Sequence, residues 1–223
     1  MNKKLFVSAL IKFLSGLILV GILVFLPAGT FRFFGGWLFI GTLFIPIFIM
    51  GIVMMFKSPV LLEKGLNAKE KEKEQNLVVK LSGLMFLGGF VVAGLDFRFG
   101  WLPLPEWVSI VAAVCFLLSY LIYAEVMREN AYLSRTIEVQ EGQTVVDTGL
   151  YGIVRHPMYS ATLILFLAIP LILGSLYSFL IFLCYPFIIA KRIRNEEELL
   201  QKELKGYAEY KNKVKYRLIP FIW

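Results

Sequence analysis

Five long apolar stretches leave this chain few ways to fold. They cover residues 5–26, 36–56, 77–97, 107–124 and 157–190, with short charged or Gly/Pro-marked connections between them. Each is close to or above the roughly 20 residues that a helix needs to cross a bilayer. None alternates apolar and polar residues as a strand of a membrane barrel does. Hydrophobic residues make up 58% of the chain, well above the share in a water-soluble domain. The reading is an all-α integral membrane protein with five to six transmembrane helices, the last two forming a hairpin that leads into a cytoplasmic C-terminal helix.

The first stretch follows Lys3 and Lys4, as the core of a secretory signal would. It is too long for such a core, and no A-x-A-like cleavage site follows Leu26, so an uncleaved first helix is expected. Cys115 and Cys184 both fall in apolar stretches without CxxC spacing. They support neither a disulfide framework nor a zinc site and are expected as small core residues.

The net charge of +7 would suit a nucleic-acid binder only if the basic residues formed one patch. They follow the membrane instead. Of the 23 basic residues, 19 fall on one side of the predicted spans and only Arg32 and Arg98 on the other, while Lys12 and Lys80 lie within spans. The positive-inside rule then puts both termini in the cytoplasm of a cell membrane, of prokaryotic type. Anionic lipid accounts for the remaining basic excess. The Asn67-Ala-Lys-Glu-Lys-Glu-Lys-Glu run is a solvated stretch with no assigned chemistry.

The chain divides by character. Residues 1–124 hold four apolar helices, and 125–223 hold nearly every polar feature of note. Residues 125–155 are too polar to cross a bilayer, and the β-branched run 136–146, broken by Gly142, predicts an extended segment packed on the protein. The last apolar stretch has 34 residues, about 51 Å as a single helix against a hydrocarbon core of roughly 30 Å. One crossing cannot use that length, so a hairpin turning near Gly174-Ser175 is predicted. Pro157 suits the first position of its first arm, with His156 beside the cap. A hairpin returns the chain to the side it left. Arg155-His156 and the Arg192–Glu197 region therefore end at one membrane face.

His156 is the sole histidine, and with scattered carboxylates it makes no metal set. Taken singly, these residues also allow plain readings. Arg192 and Glu196 are spaced i, i+4, as in an exposed ion pair on one helix. Glu197 and Glu198 would be a solvated face, and Arg155-His156 an interfacial anchor. No Gly-x-Gly-x-x-Gly fingerprint marks a soluble nucleotide-binding domain.

Their order carries more. Gly149-x-Tyr151-x-x-x-Arg155-His156-Pro157-x-Tyr159, a hairpin-length apolar run, Arg192-x-x-x-Glu196-Glu197-x-x-Leu200, Tyr207-x-x-Tyr210 and Ile219-Pro220 resemble the isoprenylcysteine carboxyl methyltransferase family. Related phospholipid N-methyltransferases share the Arg-His-Pro-x-Tyr and Glu-Glu elements. The resemblance covers residues 125–223. It implies S-adenosyl-L-methionine as cofactor, held by Gln143, Thr144, Val145, Val146, Tyr151, His156, Pro157, Met158, Tyr159 and Glu196. It implies Arg192 as the substrate-binding arginine, with Arg192, Glu197 and Arg155 as the catalytic set. The sequence departs from the family pattern at Gln143, Leu150 and Leu204-Lys205, where relatives carry a histidine, a proline and Phe-Gly. The implied partners are the bilayer and a lipidated or amphiphilic methyl acceptor, with neither nucleic acid nor metal.

Three functions are consistent with these residues. One is methylation of a carboxylate, a nucleophile already ionised at neutral pH. Another is N-methylation of a phospholipid headgroup amine, which needs a base such as Glu197 or His156. The third is a non-catalytic scaffold or transporter, for which charged groups near the membrane midplane are the usual sign; Lys12 and Lys80 lie off centre. The orientation is directly testable. Cysteine introduced at Thr30 should be labelled from outside intact cells and cysteine at Glu70 spared, and the reverse pattern would overturn the assignment.

Overall fold

The computed structural model describes residues 3–67, 73–130, 132 and 139–223. Residues 68–72 of the charged run, Arg135 and residues 136–138 of the predicted extended segment lie outside the described residues. Among the described residues nine α-helices follow in order: α1 Lys3–Ala28, α2 Phe34–Lys57, α3 Pro59–Asn67, α4 Lys73–Phe99, α5 Glu106–Glu129, α6 Pro157–Ile172, α7 Leu176–Phe182, α8 Tyr185–Glu203 and α9 Tyr207–Lys213. A short 3-10 turn, Gly149–Gly152, precedes α6. No strand forms among the described residues.

Among the described residues five helical segments are long and apolar enough to cross a membrane, with α7 and α8 counting together as Leu176–Glu203. Apolar side chains cover their outer faces. Ile11, Ile18 and Leu19 on α1, Ile45 and Ile49 on α2, and Val114, Leu118 and Leu121 on α5 all point outward. An apolar shell of this extent belongs against lipid tails. Cys115 and Cys184 are part of that outer surface, not of the core expected for them. Inside, Phe39, Phe90, Phe116 and Phe182 meet at the centre of the bundle. Glycines bring backbones together there: a Cβ on Gly94 would sit 2.8 Å from the carbonyl oxygen of Val24, so α1 and α4 touch closely.

The hairpin forms as the length argument requires. α6 ends at Ile172, Gly174 adopts φ +70°, and Ser175 caps α7 by accepting from the Ser178 N–H. The second arm is broken at Leu183–Cys184, where the sequence reading had one continuous helix. Pro186, at the start of α8, lacks an N–H and cannot continue the ladder of α7.

A buried carboxylate fixes the turn. Asp96 is 1% exposed, accepts from Ser175 Oγ at 2.5 Å and from the Leu102 N–H at 2.9 Å, and so ties α4, the α4–α5 loop and the hairpin together. α4 runs on to Phe99, two residues past the apolar stretch, and these bonds draw its end into the bundle. Asp96→Ala strands the buried Ser175 hydroxyl, at about 1–3 kcal/mol, and releases the part-buried Leu102 N–H. Thermal unfolding in detergent should shift down clearly, and an unchanged midpoint would show that the contact is idle.

Candidate functional site

α8 builds the site by an irregularity in its inward stripe. Tyr185, Ile189, Ile193 and Glu197 are buried at four-residue intervals, so the fourth member of an apolar row is a carboxylate. A buried ion costs several kcal/mol unless partners replace its water. Glu197, 3% exposed, has three. Its Oε1 accepts from Arg155 Nε at 2.7 Å and lies 3.3 Å from His156 Nε2; its Oε2 accepts from Arg217 Nε at 3.0 Å. The expectation of a solvated face is therefore corrected at Glu197 and holds at Glu198, which is exposed.

The same cluster fastens the C-terminal tail. Arg155 also donates to the carbonyls of Val214 at 2.6 Å and Lys215 at 2.9 Å. The backbone N–H groups of Arg155 and His156 donate to the Tyr216 and Arg217 carbonyls, and Ser160 Oγ donates to Leu218 O. Arg217 stacks over the Trp223 ring at 5.1 Å. Pro157 takes the first turn of α6 as predicted, and His156, expected beside the cap, is itself the N-cap residue.

One residue before Glu197, the chain faces outward to a cleft. The i, i+4 residues Arg192 and Glu196 are joined through α6: the Tyr159 hydroxyl accepts from Arg192 Nε at 2.9 Å and donates to Glu196 Oε2 at 2.6 Å. The exposed-pair reading is thus replaced by a bridge through a buried tyrosine.

The cleft encloses about 800 Å³, counting space open to solvent. Gln143, Thr144, Val145 and Val146 form one wall, and Tyr151, Arg155, His156, Met158, Tyr159 and Glu196 line the rest together with residues that had no role assigned from sequence. The expected cofactor residues therefore converge, with one exception. Pro157 is buried in the first turn of α6 and is not part of the wall. Arg192 adjoins the cleft through Tyr159, and Glu197 sits behind it. Arg155 faces the cleft with its guanidinium already engaged by Glu197 and the tail.

Local chemistry sets the remaining walls. The Gln143 side-chain oxygen accepts from the Gln140 N–H and closes the turn around Gly142, which turns Thr144–Val146 toward the cleft. Gly149 adopts φ +52°, and a Cβ there would collide with Glu129, whose carboxylate accepts from the Leu150 N–H. This presents Tyr151, whose hydroxyl accepts from Asn130 Nδ2 at 2.9 Å. Burial pushes its pKa up to about 12, although the Asn130 bond works in the other direction, so the phenol keeps its proton at neutral pH. Asn130, Tyr132, Leu200, Leu204, Tyr207 and Tyr210 complete the lining. The Tyr207-x-x-Tyr210 spacing was a visible signal without an assigned role. Arg217 gave none, because its contact depends on how the tail folds back.

The arrangement can hold a ligand with an apolar or aromatic body and a cationic group, the latter at Glu196. One Glu196 oxygen is taken by Tyr159, and the other has no partner among the described residues. Glu197→Ala should act differently, on the framework: an uncompensated buried Arg155 costs about 3–5 kcal/mol. Hydrogen exchange should rise across residues 214–223. Unchanged protection of the tail would refute the anchoring role.

Comparison with known proteins agrees on this half of the chain. Residues 107–206 match the family of phospholipid methyltransferases, a stretch that runs from α5 through the cleft to the end of α8. A 91-residue segment is 34% identical to the Delta(14)-sterol reductase TM7SF2 of Mus musculus, covering 40% of this chain and 22% of the reductase. The chain thus spans about a fifth of the length of that relative. Arg155, His156, Glu196 and Glu197 all lie in the stretch that matches the methyltransferase family, whereas Arg217 and the tail lie beyond it.

Proposed function

We propose that this chain is an integral membrane methyltransferase that binds S-adenosyl-L-methionine in the cleft and methylates the carboxylate of an amphiphilic, lipid-borne acceptor. The observation that carries the proposal is a half-satisfied carboxylate, Glu196, in an aromatic-walled cleft within the stretch that matches the phospholipid methyltransferase family. The 19-to-2 distribution of basic residues supports placing the cleft on the cytoplasmic side.

The residues present suit the cofactor. Glu196 offers its second oxygen to an ammonium, backed by Tyr159. Val145 and Val146 offer apolar surface, and Tyr151 and Tyr159 offer ring faces that favour a sulfonium cation. When bound, the cofactor supplies an electrophilic methyl group.

The chain's own task is placement. A carboxylate acceptor is already ionised and needs no base, so orientation and exclusion of water suffice. Arg192, held by Tyr159 at Nε, is the group for the acceptor's carboxylate, whose two oxygens match a planar guanidinium. An amine acceptor would need a base. Glu197, the expected candidate, is occupied by Arg155, His156 and Arg217 behind the wall.

The likeness to a sterol reductase favours a second reading, in which the same cleft holds a hydride donor beside an apolar ring substrate. Titration of the protein in lipid nanodiscs with S-adenosylhomocysteine and with NADPH separates the two. The proposal expects S-adenosylhomocysteine to bind and Glu196→Ala to weaken it by tenfold or more, about the loss of one charged hydrogen bond. Arg192→Ala should keep that binding and lose methyl transfer to membrane extract. Binding of NADPH alone would overturn the methyltransferase reading in favour of the reductase, and methyl label recovered on an amine would overturn the carboxylate.

A further inference from the structure

Among the described residues, one buried side-chain polar atom has no hydrogen-bond partner, and it is the hydroxyl oxygen of Tyr207. Tyr207 opens α9, is 4% exposed and lines the cleft. Its neighbour one turn on provides the contrast. Tyr210 packs against it at 5.8 Å between ring centroids and donates its hydroxyl to the Tyr151 carbonyl at 2.8 Å. Of two tyrosines in one small apolar cluster with Leu204 and Val214, one has a structural use for its hydroxyl and the other has none. Buried polar groups are paired in folded proteins, so an orphan hydroxyl on a residue that lines a ligand cleft points to a partner that comes with the ligand.

The surroundings define that partner. Burial, then the negative charges of Glu197 and Glu196, hold the Tyr207 proton in place far above the usual phenol range, so the hydroxyl can donate. What it faces must therefore accept. Its electrostatic neighbours are Glu196, Glu197 and Arg155. In an α-amino acid the ammonium and carboxylate share one carbon, so their protein partners must be adjacent. Glu196 is the partner proposed above for the ammonium. Arg155 and His156 are committed to Glu197, and Arg155 lends positive charge to the wall, but neither is placed to serve as a direct donor.

We infer that the Tyr207 hydroxyl donates to the carboxylate at the amino-acid end of the methyl donor. The inference rests on the methyl-donor reading of the cleft. It makes Tyr207 a specificity residue: it selects a nucleoside thioether that carries an α-carboxylate over one that lacks it.

Calorimetry in nanodiscs tests this with wild type and Tyr207→Phe, using S-adenosylhomocysteine and its decarboxylated analogue, which keeps the ammonium. The variant should bind S-adenosylhomocysteine at least about tenfold more weakly, and should bind the decarboxylated analogue as wild type does. Its ligand-free melting temperature should equal or exceed that of wild type, because the hydroxyl it removes bonds to nothing among the described residues. Equal losses for both ligands, or none for either, would overturn the inference while leaving the methyl-donor reading intact. Failure of wild type to bind either ligand would overturn both.

Discussion

The buried carboxylate of Glu197 organises the polar half of this protein. An unpaired anion at that depth would be prohibitive, so the fold must deliver polar partners to it. It draws them from two places far apart in sequence, Arg155 and His156 before the hairpin and Arg217 beyond α9. Bringing them together sets the entry of α6, the position of α8 and the path of the tail. The cleft is the space left in front of this cluster. Its wall is stiff because the residues behind it cannot move without exposing or stranding a charge.

A second buried carboxylate does comparable work at the other end of the hairpin. Asp96 binds the Ser175 cap and the Leu102 N–H, and Leu104 N–H donates to the Gly174 carbonyl nearby. α6 is thus anchored at both ends, by Glu197 near its first residue and by Asp96 near its last. With 16 residues it spans about 24 Å, less than the full hydrocarbon core. A short helix fixed at both ends is a rigid mount for Tyr159, and Tyr159 sets the distance between Arg192 and Glu196.

Adjacent residues on α8 thereby take different tasks. Glu197 lies on the inward row and is consumed by structure; Glu196, a hundred degrees around the helix, reaches the cleft with an oxygen to spare. The Glu-Glu pair works as one framework acid and one ligand-facing acid. The tyrosines divide in the same way: Tyr210 is bonded to the protein, while Tyr207 lines the cleft with a hydroxyl that has no partner among the described residues.

The apolar runs by themselves determined the membrane class and the helix spans, because lipid length and backbone satisfaction admit no other answer. The excess length of residues 157–190 likewise determined the hairpin, and the motif order collected nearly all the residues that line the cleft. Tertiary structure decided what each polar residue does. Nothing local distinguishes Glu196 from Glu197, since burial depends on which face of α8 the bundle covers. Nothing local predicts Arg217 as a partner of Glu197 or the outward placement of Cys115 and Cys184. Such contacts form between segments that only the folded chain brings together, and the cost of burying a charge or a hydroxyl exists only once that burial has been set.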